Sequence, residues 1–96
     1  MIIAQISIVP IGEGTSVSKY VKASVEALKK KDLKVVPTAM CTVFEARTID
    51  EILEAVKVAH QAVLKLGAKR VLTHLTIDDR KDKEASIESK LRAIRE

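Results

Sequence analysis

The chain has 96 residues, 47% of them hydrophobic and 31% charged, which describes one ordered domain with a thin core and excludes a disordered chain. Its 17 Lys and Arg against 13 Asp and Glu give a formal charge of +4, a lysine surplus that serves solubility rather than marking a nucleic-acid footprint. One cysteine rules out an intrachain disulfide and fits a reducing, cytoplasmic setting, and no apolar run reaches the ~18 residues of a membrane span.

The opening MIIAQISIVP lacks a basic leader and a small-residue cleavage site, so it reads as a strand and not as a secretory signal. Ile2, Ala4, Ile6 and Ile8 share one face; Ile3, Gln5, Ser7 and Val9 share the other. Pro10 to Gly14 form a loop, and Thr15 or Ser16 is placed to cap a helix. Val17, Tyr20, Val21, Ser24, Val25 and Leu28 recur at helical spacing, and Lys29, Lys30 and Lys31 sit where cations complement the helix dipole.

Residues 33–38 read as a second strand, which Pro37 confines to an edge or a bulge, and residues 41–46 as a third, the two forming a hairpin. Thr48-Ile-Asp-Glu51 is a capping box before a stripe of Ile49, Ile52, Leu53, Val56, Ala59, His60 and Val63. Gly67 stands where a left-handed cap ends such a helix. Residues 70–77 read as the fourth strand. A charged turn follows, and Asp82 is placed to cap a short last helix with Ile87, Leu91 and Ile94 on one side.

Strand, helix, strand, strand, helix, strand predicts an α+β, ferredoxin-like βαββαβ domain over residues 1–96. It has a four-stranded antiparallel sheet of order 4-1-3-2 and a short C-terminal helix. Both main helices cover one face. The other carries Gln5, Ser7, Thr42, Phe44, His74 and Thr76, or their neighbours by one residue, with nothing in the chain to cover it. A second copy is the expected cover, making a dimer or tetramer.

The chemistry-bearing residues are few. Cys41 and His74 can be drawn as nucleophile and base, but a packed thiol and a sheet histidine are the plainer reading, so no enzyme is expected. No metal-ligand spacing and no phosphate loop is present. RNA binding by a sheet needs aromatic platforms, and only Tyr20 and Phe44 are aromatic. Glu45 is the odd placement, a carboxylate inside an apolar strand. It suits a site for a cation or an amino-bearing heterocycle; the competing reading is a salt bridge to Arg47 or Arg70. Arg70 and Arg80 bracket the fourth strand, where arginine suits carboxylate or phosphate.

The segments ISIVPIGEGTSVSKYV (6–21), TVFEA (42–46) and AHQAVLKLGAKRVLTHLTIDDR (59–80) resemble the small thiamine-binding-protein family, relatives of a larger duplicated thiamine/hydroxymethylpyrimidine-binding protein. The resemblance implies a ferredoxin-like fold, dimers assembled into tetramers, and non-enzymatic binding of thiamine or its hydroxymethylpyrimidine precursor without a cofactor. Carried over by position, it makes Ser7, Thr42 and Glu45 pocket residues, with Arg70 and Arg80 secondary candidates; stacking on the rings of such a ligand has to come from Phe44 or from a neighbouring subunit. Ala46 stands where the family tends to have glycine, and His74 where small hydroxyl residues are common. The alternative from another class is an ACT-like regulatory or assembly module binding an amino acid or anion through Arg70 or Arg80.

Overall fold

Alternation along the first strand sets the layers of the computed structural model, which describes residues 1–95. In β1 (Ile2–Pro10), Ile2, Ala4, Ile6 and Ile8 are buried while Gln5 and Val9 are exposed. The chain continues through α1 (Ser18–Lys29), β2 (Lys34–Pro37), β3 (Thr42–Ala46), α2 (Ile49–Lys65), β4 (Val71–Asp78) and α3 (Ile87–Arg95). The strands pair antiparallel in the order β2-β3-β1-β4. This is the 4-1-3-2 order read from the other edge, so the chain adopts the ferredoxin-like arrangement. Pro37, which cannot donate to a ladder, lies in edge strand β2 as its chemistry requires.

α1 and α2 pack on the face that carries Ile2, Ala4, Ile6 and Ile8. Tyr20 and Leu28 from α1, and Ile52, Ala55, Ala59 and Val63 from α2, complete the core. The buried line of α2 runs through Ala55 rather than Leu53, which is half exposed. Thr48 caps α2 as expected, its Oγ1 accepting from the Glu51 N–H at 3.1 Å. Gly67 follows the helix with φ of +101°, the left-handed geometry that favours glycine.

Three expectations need correction. Neither Thr15 nor Ser16 caps α1, whose N-cap is Val17 without a side-chain bond. Val17 packs against the core, and its carbonyl accepts from the Tyr20 and Val21 N–H groups. Asp82 does not cap α3 because its carboxylate is taken by Arg80. Instead Ser86 and Ser89 satisfy each other reciprocally, each backbone N–H donating to the other's hydroxyl at 2.9 and 3.0 Å. The second sheet face is not wholly uncovered: the first turn of α3 lies on one end of it, burying Ile87 against Glu45.

Register decides the remaining faces. Ala4 pairs with Phe44 and Ile6 with Thr42, so Phe44 and Thr42 lie on the helix side, and their neighbours Val43 and Glu45 take the open side. Phe44 is fully buried in the core. With Tyr20 on α1, both aromatic residues lie off the open face.

Candidate functional site

The C-terminal end of β1 meets two other pieces of chain, α1 and the β2–β3 hairpin, and they do not close over it. α1 begins nearby, tied down by Tyr20, whose hydroxyl donates to Glu13 Oε1 at 2.5 Å across the β1–α1 loop. That hydrogen bond, reinforced by burial, raises the tyrosine pKa. The β2–β3 hairpin turns through Ala39 and Met40. Thr38 holds it shut: its N–H donates to the Cys41 carbonyl at 2.8 Å, and its Oγ1 accepts from the Cys41 N–H at 3.1 Å. Met40 is left at the tip, almost fully exposed.

Between these pieces lies a cavity of about 180 Å³, whose walls include Val17, Val21, Ser24, Met40, Cys41 and Thr42. No charged residue lines it. Thr42 and Ser24 are buried, 6% and 7% exposed. Ser24 Oγ donates to the Val21 carbonyl at 2.8 Å, which leaves its lone pairs as acceptors. No intrachain hydrogen bond among the described residues engages the Thr42 hydroxyl. The cavity therefore offers apolar walls with one acceptor and one uncommitted hydroxyl.

The other end of the sheet is built differently. Glu45 is only 7% exposed, pairs across the ladder with Ile3 and Lys34, and accepts at Oε2 from the Ile87 N–H at 3.0 Å. A carboxylate at a helix N-terminus meets an otherwise unpaired donor and the positive end of the dipole. This replaces the salt bridge to Arg47 or Arg70 as the explanation of a carboxylate in an apolar strand. Exposed ion pairs surround it: Lys34 with Glu88 at 3.7 Å, and Lys90 with Asp78 at 2.6 Å.

The residues singled out from the sequence are thus separated. Thr42 lines the cavity. Ser7 borders it, but by alternation its side chain turns to the open face, opposite His74. Glu45 lies three residues from Thr42 along β3, about 10 Å at strand rise, and on the opposite face. Phe44 is closed inside the core. Arg70 is exposed just before β4, its carbonyl accepting from the Ile11 N–H at 2.8 Å. Arg80 is engaged with Asp82, and the hydrogen bond between them pulls the Asp82 carboxyl down to about 2. Sequence reasoning passed over Ser24 and Thr38. The signal for Ser24 was present, a hydroxyl inside the apolar stripe between Tyr20 and Leu28. Thr38 had none, because its role depends on where the turn falls.

A family model described as thiamine-binding protein matches residues 4–95. A UPF0045 protein of Methanocaldococcus jannaschii is 55% identical over 95 residues, 99% of this chain and 93% of that one. Its crystal structure superposes with a TM-score of 0.90, covering 97% of this chain and 94% of that one. UPF0045 protein YqgV of Bacillus subtilis is 34% identical over 98% of this chain and 94% of its own. A Thermotoga maritima protein, provisionally described as a thiamine biosynthesis/salvage protein, shares the fold with a TM-score of 0.82 at 24% identity, covering 97% of each chain.

Proposed function

We propose that this chain, which belongs to the thiamine-binding protein family, is a non-enzymatic binder of thiamine or its hydroxymethylpyrimidine precursor. The observation that carries the reading is the cavity beside Thr42 and Ser24, concave and mostly apolar with a few convergent polar groups, which is the usual make-up of a small-molecule site. Thr42 and Ser24 supply hydrogen bonds, and Val17, Val21 and Met40 enclose the ring. Glu45 is assigned to holding α3 rather than ligand.

An ACT-like anion site gains nothing from this geometry. Arg80 is committed to Asp82, and Arg70 stands exposed away from the cavity walls. The protein works, on this reading, in the cytoplasm; no helix among the described residues is long and apolar enough to cross a membrane. It also works as a homo-oligomer. Beyond the reach of α3, the open face presents Val9 and Leu72 at 39% and 49% exposure around Ser7 and His74, and a second copy offers the matching half-apolar surface. With no aromatic residue on that face, it has no base-stacking platform.

Calorimetric titration of thiamine into the purified protein tests the binding reading. Saturable one-site binding without conversion of the ligand is expected; absence of heat and of any thermal shift at millimolar thiamine would remove it. Sedimentation tests the assembly, and a monomer of 10.6 kDa at micromolar concentration would contradict it.

A further inference from the structure

We infer that the outer groove between α1 and α2 is a docking site for another protein, one that presents an amphipathic helix with small apolar side chains on its docking face and carboxylates on its flanks. The groove lies on the side of the helices turned away from the sheet, apart from the cavity beside Thr42, and the inference stands independently of the ligand reading.

The two helices leave a channel of about 520 Å³ between them. α1 gives its floor Ala23 and Ala27, and α2 gives Val58 and Ala62, each pair one turn apart on a single helix face. All four are half-buried, and none is long enough to fill the space. Alanine is a good helix former, but propensity alone does not align short apolar side chains across two neighbouring helices. Helices pack by setting the side-chain ridge of one into the groove of another, and a floor this shallow in side chains lets a third helix approach closely.

Charge selects the occupant. α1 ends where α2 begins, as the Lys31–Glu54 pair at 3.7 Å shows, so the helices run antiparallel and cations stand at both ends of the channel. Lys30 and Lys31 are at one end, and Lys65 is at the other. Lys30 and Lys65 form no ion pair among the described residues. Against these lysines the walls carry one acid, Glu26. Exposed ion pairs add little affinity, but they decide which partner is accepted and in which orientation. A helix flanked by Asp or Glu answers both ends at once.

Other occupants fit less well. Lys22, Lys29 and Lys57 are also exposed on these helices, so a second copy seated here would set lysine against lysine. A nucleic acid would find neither arginine nor an aromatic ring on the walls, and its phosphates gain nothing from an apolar floor. A lipid surface takes up apolar groups that protrude, whereas these lie at the bottom of a channel between charged ends.

The test uses the full chain and a synthetic helical peptide of about four turns, with alanine and leucine on one face and glutamate on both flanks. A second peptide carries lysine in place of every glutamate. The glutamate peptide should shift the amides of residues 23–31 and 58–65, bind more weakly as salt rises, and leave the Kd for thiamine unchanged. Reversing charge at both ends, Lys30→Glu with Lys65→Glu, should weaken the glutamate peptide by about tenfold or more and transfer binding to the lysine peptide. Ala27→Gln lays a long side chain across the floor and should weaken binding by about tenfold with helix content unchanged. Ala62→Gln serves if that variant fails to fold. The inference is overturned if millimolar glutamate peptide shifts no groove amide, if wild type takes both peptides equally, or if the folded floor variants bind as wild type. Displacement of the peptide by a single-stranded oligonucleotide or by anionic vesicles would also overturn it, assigning the lysines to phosphate.

Discussion

At the end of β1 that carries Ile6 to Pro10, hydroxyls of Ser24 and Thr42 face a cavity without charge. At the end that carries Ile2 and Ile3, Glu45, Lys34, Glu88, Asp78 and Lys90 bind a helix to the sheet. Beside β1, the five-residue strand β3 also runs between the two ends, and its alternation sends Thr42 and Phe44 to the helices and Glu45 to the open face. The charged groups are therefore spent on architecture where α3 docks, while the space a ligand can enter is walled by neutral groups. A residue that stands out in sequence by its charge need not be the one that meets the ligand.

Phe44 separates the two ends and gives the largest expected effect. Its ring is fully buried, so Phe44→Ala should destabilise the whole fold by about 3–5 kcal/mol in denaturant titration, with both ends unfolding together. A loss under about 1 kcal/mol would mean that the ring is not core, and would return Phe44 to the ligand as a stacking surface.

The Glu45 end should be breakable on its own. Ile87 is the first residue of α3, a position where proline is tolerated. Ile87→Pro removes the N–H that Glu45 accepts, whereas Ile87→Ala keeps it and loses only packing. Glu45→Gln weakens the same bond from the other side. Ile87→Pro and Glu45→Gln should each make α3 open more easily by about 1–3 kcal/mol, read by hydrogen exchange at residues 88–95, with thiamine affinity unchanged. Loss of thiamine binding in Glu45→Gln with α3 still protected would erase the distinction between the ends.

The smallest effect belongs to Asp82. Its carboxyl is lowered from 3.8 to about 2, chiefly by the Arg80 hydrogen bond. A depressed acid contributes stability that is complete above its unfolded pKa and is lost as pH falls through the folded one. NMR titration should therefore find Asp82 ionised at pH 3, the pair dissolving only toward pH 2, and Arg80→Gln should restore an ordinary midpoint of about 4.

What the sequence showed follows from the range of the rule involved. Alternation in β1, the Thr48 capping box, Gly67 and the edge position of Pro37 are set by neighbours a few residues apart, and the architecture followed from their order. The site depended on longer-range facts. The parity of β3 hangs on a turn confined to Ala39 and Met40, and a slip of one residue exchanges Thr42 and Phe44 with Val43 and Glu45. The partner of Glu45 is 42 residues away, beyond any local pattern. The cap of α3 was ambiguous because Asp78, Asp79, Asp82 and Ser86 all precede it, and only the fold commits Asp82 to Arg80.

The central claim is that ligand enters at the uncharged end. Amide chemical-shift mapping of the isotope-labelled chain on titration with thiamine tests it most directly. Perturbations should cluster at residues 17–24 and 38–42, leaving residues 45–47 and 86–90 in place. A cluster at Glu45 and the start of α3, with the cavity amides silent, would contradict the account.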